Sequence, residues 1–245
     1  MVRSIQAEIL KLRTTRAIYE LLLGAVAVVL LSTVSTIASA KADSLSGPLH
    51  EQVFFLLVSI NVGLFSLLVG TRVPTDELRH STIAHAFLSD PKRRTTLFAK
   101  GAVAGLVASI FAIVGAVAMV GAALPLAAAK GGTLSPTNSD VGAVAGFVLA
   151  NALWGVIGVG VGFVVRHQVA AIVGGIIWIL AIENLGSGFL GDAGAYLPGQ
   201  SAYALAQTLD GTEALDVGTA AAVMIAYAVV IFSIGVVVTR RRDVL

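Results

Sequence analysis

The chain has 245 residues, of which 57% are hydrophobic and 12% charged, with a formal net charge of +2 and a mean hydropathy of +0.92. Soluble globular chains carry about a quarter charged residues, so that class is excluded, and the absence of cysteine excludes disulfides, thiolate metal sites and a cysteine nucleophile. The small basic excess implies no nucleic-acid partner, because most Lys and Arg flank apolar blocks.

Taken in chain order, residues 2–16 are expected to form an interfacial helix. Val2, Ile5, Ile9 and Leu12 share a stripe at helical spacing, with Arg3, Lys11 and Thr14 on the other side. Six apolar blocks follow, at 17–40, 52–73, 98–124, 141–165, 169–182 and 218–238. Most reach the roughly 18 residues that read as a membrane span, and lipid forces each to be helical. The fifth is short unless it continues into the Gly-rich stretch 185–190. Ala38-Ser39-Ala40 has the form of a signal-peptide cleavage site. The apolar run before it is longer than a usual signal core and a polar segment precedes it, so the first block is read as a retained span. The expectation is an all-α membrane protein with six spans and a single domain over 1–245.

Between the second and third blocks lies the segment 74–97. Pro74-Thr75-Asp76-Glu77 reads as a helix start, with acids near the positive end of the dipole, and Ser89-Asp90-Pro91 as a stop and restart. A short helix near 76–88 and a second helix entering the third span are therefore expected. The segment 183–217 has no Lys or Arg and is read as external, with a short helix in or dipping into the outer interface. Residues 130–140 read as a turn on the same side.

Fourteen of the sixteen Lys and Arg fall on one side of this arrangement, leaving only Lys41 and Lys130 opposite. The positive-inside rule then places both termini in the cytoplasm. Gly101 and Gly105, Gly142 and Gly146, and Gly158 and Gly162 have the spacing that lets helix backbones approach closely in lipid. Packing within one chain and a seam with a second copy both use it.

The chemistry of an enzyme is missing. None of the five lysines follows a Gly, so no phosphate-binding P-loop occurs. His50, His80, His85 and His167 are scattered, and no HExxH or GxSxG occurs. Two acids lie within or at the edge of spans, Glu20 and Glu183. An ionisable group in lipid is a functional candidate by default. Arg13 and Arg16 are candidate partners for Glu20, whereas Glu183 follows a wholly apolar run.

Three stretches resemble the permease subunits of type-2 ABC transporters in their small six-span bacterial form. They are Glu8-Ile9-Leu10-Lys11-Leu12-Arg13 before the first span; Asp76-Glu77-Leu78-Arg79-His80-Ser81-Thr82-Ile83, with Pro91-Lys92-Arg93-Arg94 and Ala99-Lys100; and Glu183 with Leu197-Pro198-Gly199. Ser81 stands where that family often has Gly. The resemblance implies an exporter in the bacterial cell membrane. This chain would pair with a second permease, identical or related, and with separate ATP-binding subunits that hold the ATP and Mg, while itself carrying no cofactor and no catalytic residue. Residues 76–88 would act as a coupling helix, with Asp76, Glu77, Arg79, His80, Ser81, Thr82, Ile83 and Phe87 against the ATPase, and the helix 2–16 would contribute Glu8 and Lys11. The Ala, Val, Gly and Leu of the spans suit apolar or amphipathic cargo. A stand-alone secondary transporter and a non-transporting assembly protein are the alternatives.

Overall fold

A backbone in lipid must satisfy its own hydrogen bonds, and this chain does so with helices almost throughout. The computed structural model describes residues 2–49, 53–79, 94–207 and 215–241. In chain order come α1 (Val2–Thr14), α2 (Arg16–Ser39), α3 (Val53–Arg79), α4 (Arg94–Ala129), α5 (Asn138–Val165), α6 (Gln168–Ile177), α7 (Glu183–Phe189), α8 (Pro198–Leu205) and α9 (Val217–Arg241). A π turn at Trp178–Ile182 makes α6 and α7 one continuous helix. Two short pairings, β1 (Gly47–Pro48) and β2 (Leu134–Ser135), run parallel.

Among the described residues, five helical stretches are long and apolar enough to cross a membrane: Arg16–Ser39, Thr95–Ala129, Asp140–Val165, Gln168–Phe189 and Val217–Arg241. The chain is an all-α membrane protein with several spans. α3 packs among these helices and carries Arg72, Asp76, Glu77 and Arg79 in its last two turns.

The bundle is organised around α5, which packs on α3, α4 and α9. Its small residues permit the approach. A Cβ on Gly158 would lie 2.4 Å from the Leu67 carbonyl of α3, and one on Gly160 would lie 2.7 Å from the Ile231 carbonyl of α9. Gly162 sits against Thr71 and Pro74, and Gly101 against Phe232. These glycines thus serve packing within the chain, where lipid leaves close van der Waals contact as the main source of helix association. Large apolar side chains such as Leu31, Val117 and Phe189 are exposed, as expected where the solvent is hydrocarbon.

Several expectations change. The interfacial helix is distinct, but it ends at Thr14. Thr15 takes an extended conformation, and the Thr14 and Thr15 hydroxyls donate to the Lys11 carbonyl at 2.9 and 2.7 Å, occupying the end of α1. No helix starts at Pro74. α3 runs through it to Arg79: the ring removes only one N–H, and Pro74 packs against Gly162 of α5. Residues 80–88 of the expected coupling helix, and its restart at Pro91, lie outside the described residues. The apolar block at 169–182 takes the continuation that the Gly-rich stretch offered, its helix running from Gln168 to Phe189.

The helix expected at the outer interface is α8. It is buried at Pro198, Gly199, Ser201, Ala202, Ala204 and Leu205 and packs against α9 and α5. A Cβ on Gly146 would lie 1.8 Å from the Leu205 carbonyl. α8 therefore dips into the bundle rather than lying on it. At the same end, Lys130 Nζ donates to the carbonyls of Ala38 (2.6 Å) and Ala40 (3.1 Å), closing the C-terminus of α2.

Candidate functional site

Two groups of buried charge stand out. The first joins α1, α3 and α4. Lys100 begins as a lysine one turn and a half into α4, flanked by Ala99 and Gly101, and its side chain is 0% exposed. Its ammonium donates to Glu8 Oε1 and Oε2, each at 3.0 Å, and to Glu77 Oε1 at 2.6 Å. Lys11 closes the cluster from the rim, donating to Glu8 Oε1 at 2.9 Å and Glu77 Oε1 at 2.8 Å. Among the described residues, two carboxylates face two ammoniums in this cluster.

The local sequence explains this convergence. Glu8 and Lys11 are three residues apart and share a face of α1. Glu77 reaches the same point because α3 remains helical past Pro74. Leu12, Val73 and Leu97 pack together beside the ions and exclude water. Burial works against the charge on Glu77, but the Lys100 and Lys11 ammoniums outweigh it and hold its pKa below the ordinary glutamate value. Burial likewise opposes the charge on Lys11, and the bonds to Glu77 and Glu8 outweigh it, so its pKa lies above the ordinary lysine value. A crevice of about 300 Å³ opens beside the cluster between α1 and α3, lined by Lys11, Thr15, Arg72 and Asp76.

Next to it, Gln168 ties the end of α3 to the start of α6. Its amide nitrogen donates to Asp76 at 2.7 Å, and its amide oxygen accepts from Arg79 at 3.0 Å. Arg72 also donates to Asp76 at 3.3 Å. The residues expected to face a partner therefore divide. Glu8 and Glu77 turn inward, 4% and 9% exposed, and hold the fold together. Lys11 is half exposed and Arg79 exposed. His80, Ser81, Thr82, Ile83 and Phe87 lie outside the described residues.

The second group surrounds Glu183, which is 2% exposed. The π turn lets residues five apart meet, and Trp178 Nε1 donates to Glu183 Oε1 at 2.8 Å. The backbone N–H of Gly199, in the first turn of α8, donates to Oε1 at 3.0 Å and Oε2 at 2.9 Å. The carboxylate thus sits at the positive end of a short buried helix. A Cβ on Gly199 would lie 2.6 Å from Glu183 Oε2, so only Gly admits this approach. Glu183 lies within the helix Gln168–Phe189 and anchors α8. Glu20 is exposed and forms no ion pair with Arg13 or Arg16 among the described residues. Tyr19 instead donates to the Arg13 carbonyl at 2.9 Å.

Two polar features had no buried role assigned from the sequence. Lys100 counts in the sequence as one more flanking cation, although its apolar neighbours on both sides signal burial. Ser66 donates to Asn151 Oδ1 at 2.8 Å across the α3–α5 contact, and Asn151 donates to the Phe147 carbonyl. Among the described residues no group of three or more His, Cys, Asp or Glu could hold a metal. No protein-family model matches the chain, and no curated protein matches it.

Proposed function

We propose that this chain is the membrane-spanning permease subunit of an ATP-driven ABC exporter, with α3 as the second of six spans and both termini in the cytoplasm of a bacterial cell. One observation carries the reading. The ion cluster of Glu8, Lys11, Glu77 and Lys100 welds α1 to the ends of α3 and α4, the two helices that flank residues 80–93. A displacement applied to α1 reaches two long helices through charge-assisted bonds. The neighbouring crevice, with Lys11, Arg72 and Asp76 on its walls, has the mixed polarity of a transient protein interface.

In this reading a separate subunit binds ATP and Mg, docks on Lys11, Arg79 and the residues from His80 to Phe87, and drives the paired permeases between two states. The chain itself performs no catalysis. Apolar or amphipathic cargo fits the largely uncharged interior.

The test is co-isolation. The tagged chain should bring down a stoichiometric ATP-binding subunit, and Arg79→Glu should lose it while still inserting in the membrane. Repeated isolation without any nucleotide-binding partner would overturn the reading. A stand-alone secondary transporter is the second reading, favoured by the π turn and the buried half-length helix α8, since broken helices near the bilayer middle mark that class.

A further inference from the structure

The chain's two tryptophans meet at one place. An apolar crevice of about 420 Å³ opens between α3, α5, α6, α8 and α9, and Trp154 and Trp178 both line it. Trp154 belongs to α5 and is 5% exposed, while Trp178 belongs to the π turn and is 38% exposed. Tyr227 of α9 adds a third ring, with Leu67 of α3 and Pro198 of α8 beside it in the walls. Gly174 of α6 leaves room among them, since a Cβ there would meet nothing within 4 Å.

No Asp, Glu, Lys, Arg or His lines this crevice. Trp178 Nε1 is already taken by Glu183 at 2.8 Å, and Glu183 is itself absent from the walls. A charged or strongly polar guest would lose its hydration here and gain no partner. Along α5 the crevice extends from Trp154 to Val165, a rise of ~16 Å at about 1.5 Å per residue. Val165, Gly174 and Trp178 are exposed, so the open side faces the bilayer. Pockets of about 300–1,000 Å³ between the helices of a bundle hold drug-sized molecules. Three aromatic side chains from three separate elements favour flat rings, which stack or meet edge-on. A flexible chain would pay more to be ordered in the same space.

We infer that this crevice binds an uncharged, flat polycyclic lipophile that partitions into the bilayer and enters sideways between α5, α6 and α9. As a statement about binding, this requires only the folded chain. As the place where cargo is held, it rests on the permease reading and narrows the cargo there from amphipathic to uncharged. Trp178 joins the occupant to Glu183, and Pro198 joins it to the turn of α8 that Glu183 anchors through Gly199. A filled crevice therefore bears on both ends of that tie.

The test uses the full chain in uncharged detergent micelles with bromophenanthrene as the probe. Bromine quenches indole emission only near contact, and both indoles line the site. Quenching should saturate at one probe per chain, and unbrominated phenanthrene should reverse it. Phenanthrene carboxylate, at equal mole fraction in the micelle, should compete at least about tenfold more weakly. Gly174→Leu and Val165→Phe, two ways of filling the open side, should each weaken binding about tenfold, with thermal unfolding confirming that both variants fold. Gly121→Leu, on α4 where a Cβ also meets nothing within 4 Å, should leave binding unchanged. None of these measurements needs an ATP-binding partner, so a chain that takes the probe but recruits no ATPase loses the permease reading and keeps the site. Quenching that climbs with probe loading without a plateau, undiminished affinity in the folded filling variants, or equal weakening by Gly121→Leu would each overturn the site. So would equal competition by the carboxylate, or displacement by phosphatidylcholine as effective as that by phenanthrene.

Discussion

The cluster at Lys100 and the carboxylate at Glu183 bury charge in opposite ways. At Lys100, two ammoniums answer two carboxylates contributed by three helices. At Glu183, the charge is met by an indole N–H and a helix N-terminus, with no cation among its bonded partners. The first arrangement depends on every member, because removing one leaves an uncompensated charge in a dry site. The second depends on geometry, because neutralising the acid leaves nothing charged behind. A structural weld and a site able to change its state are thereby distinguished by the partners of the charge.

Lys100→Met should be the most damaging change. It removes the buried ammonium that Glu8 and Glu77 share, and breaking a buried pair from one side costs about 3–5 kcal/mol. Denaturant unfolding in detergent measures it. Adding Glu8→Gln to Lys100→Met removes one stranded charge and should recover part of the loss. If the double variant is no more stable than the single, the charge-balance account of the weld is wrong.

Gly199→Ala comes next. The methyl collides with the Glu183 carboxylate and breaks its bonds to α8, at about 1–3 kcal/mol for a buried acceptor left unmade. Glu183→Gln should cost less, because the Trp178 bond and one oxygen survive, yet it should alter transport more than assembly. Unchanged transport in a well-folded Gln variant would reduce Glu183 to an anchor for α8.

Acid provides a graded version of the first comparison. The depressed pKa of Glu77 means that its contribution is complete above the ordinary glutamate value of 4.5 and is lost as pH falls through the lower folded value. The raised pKa of Lys11 works the other way, its contribution being complete below 10.5 and lost as pH rises through the higher folded value. The protection of the α1 amides, measured relative to their intrinsic exchange rates, should therefore stay flat between about pH 5 and 10 and fall outside that window, on the acid side below 4.5. A loss of protection near pH 6 would assign the docking of α1 to some other group.

The helices were legible in the sequence because lipid allows few alternatives and the apolar blocks are long. Their ends were less so. Pro74 reads as a helix start, since proline favours that position, but a helix already packed on Gly162 of its neighbour carries it through. Glu8, Lys11 and Glu77 were visible as candidates through a resemblance. Their inward orientation was not, because it depends on Lys100, whose partners lie 92 and 23 residues away. Glu183 stood out as an acid after an apolar run. What holds it, Trp178 across a π turn and the backbone of Gly199, is a matter of helix register and close approach that residue spacing does not encode.

The central claim is that α1 and the ends of α3 and α4 form a rigid base against which an ATP-hydrolysing subunit pushes. The absence of cysteine makes a direct measurement simple: Arg79→Cys, carrying a short photo-crosslinker, irradiated in native membranes. Arg79 is exposed and adds little to stability, so the fold should persist within about 0.5 kcal/mol. The account predicts a covalent adduct with a nucleotide-binding protein, lost when Lys100→Met loosens the base. Adducts with lipid alone, in membranes where the chain is functional, would contradict it.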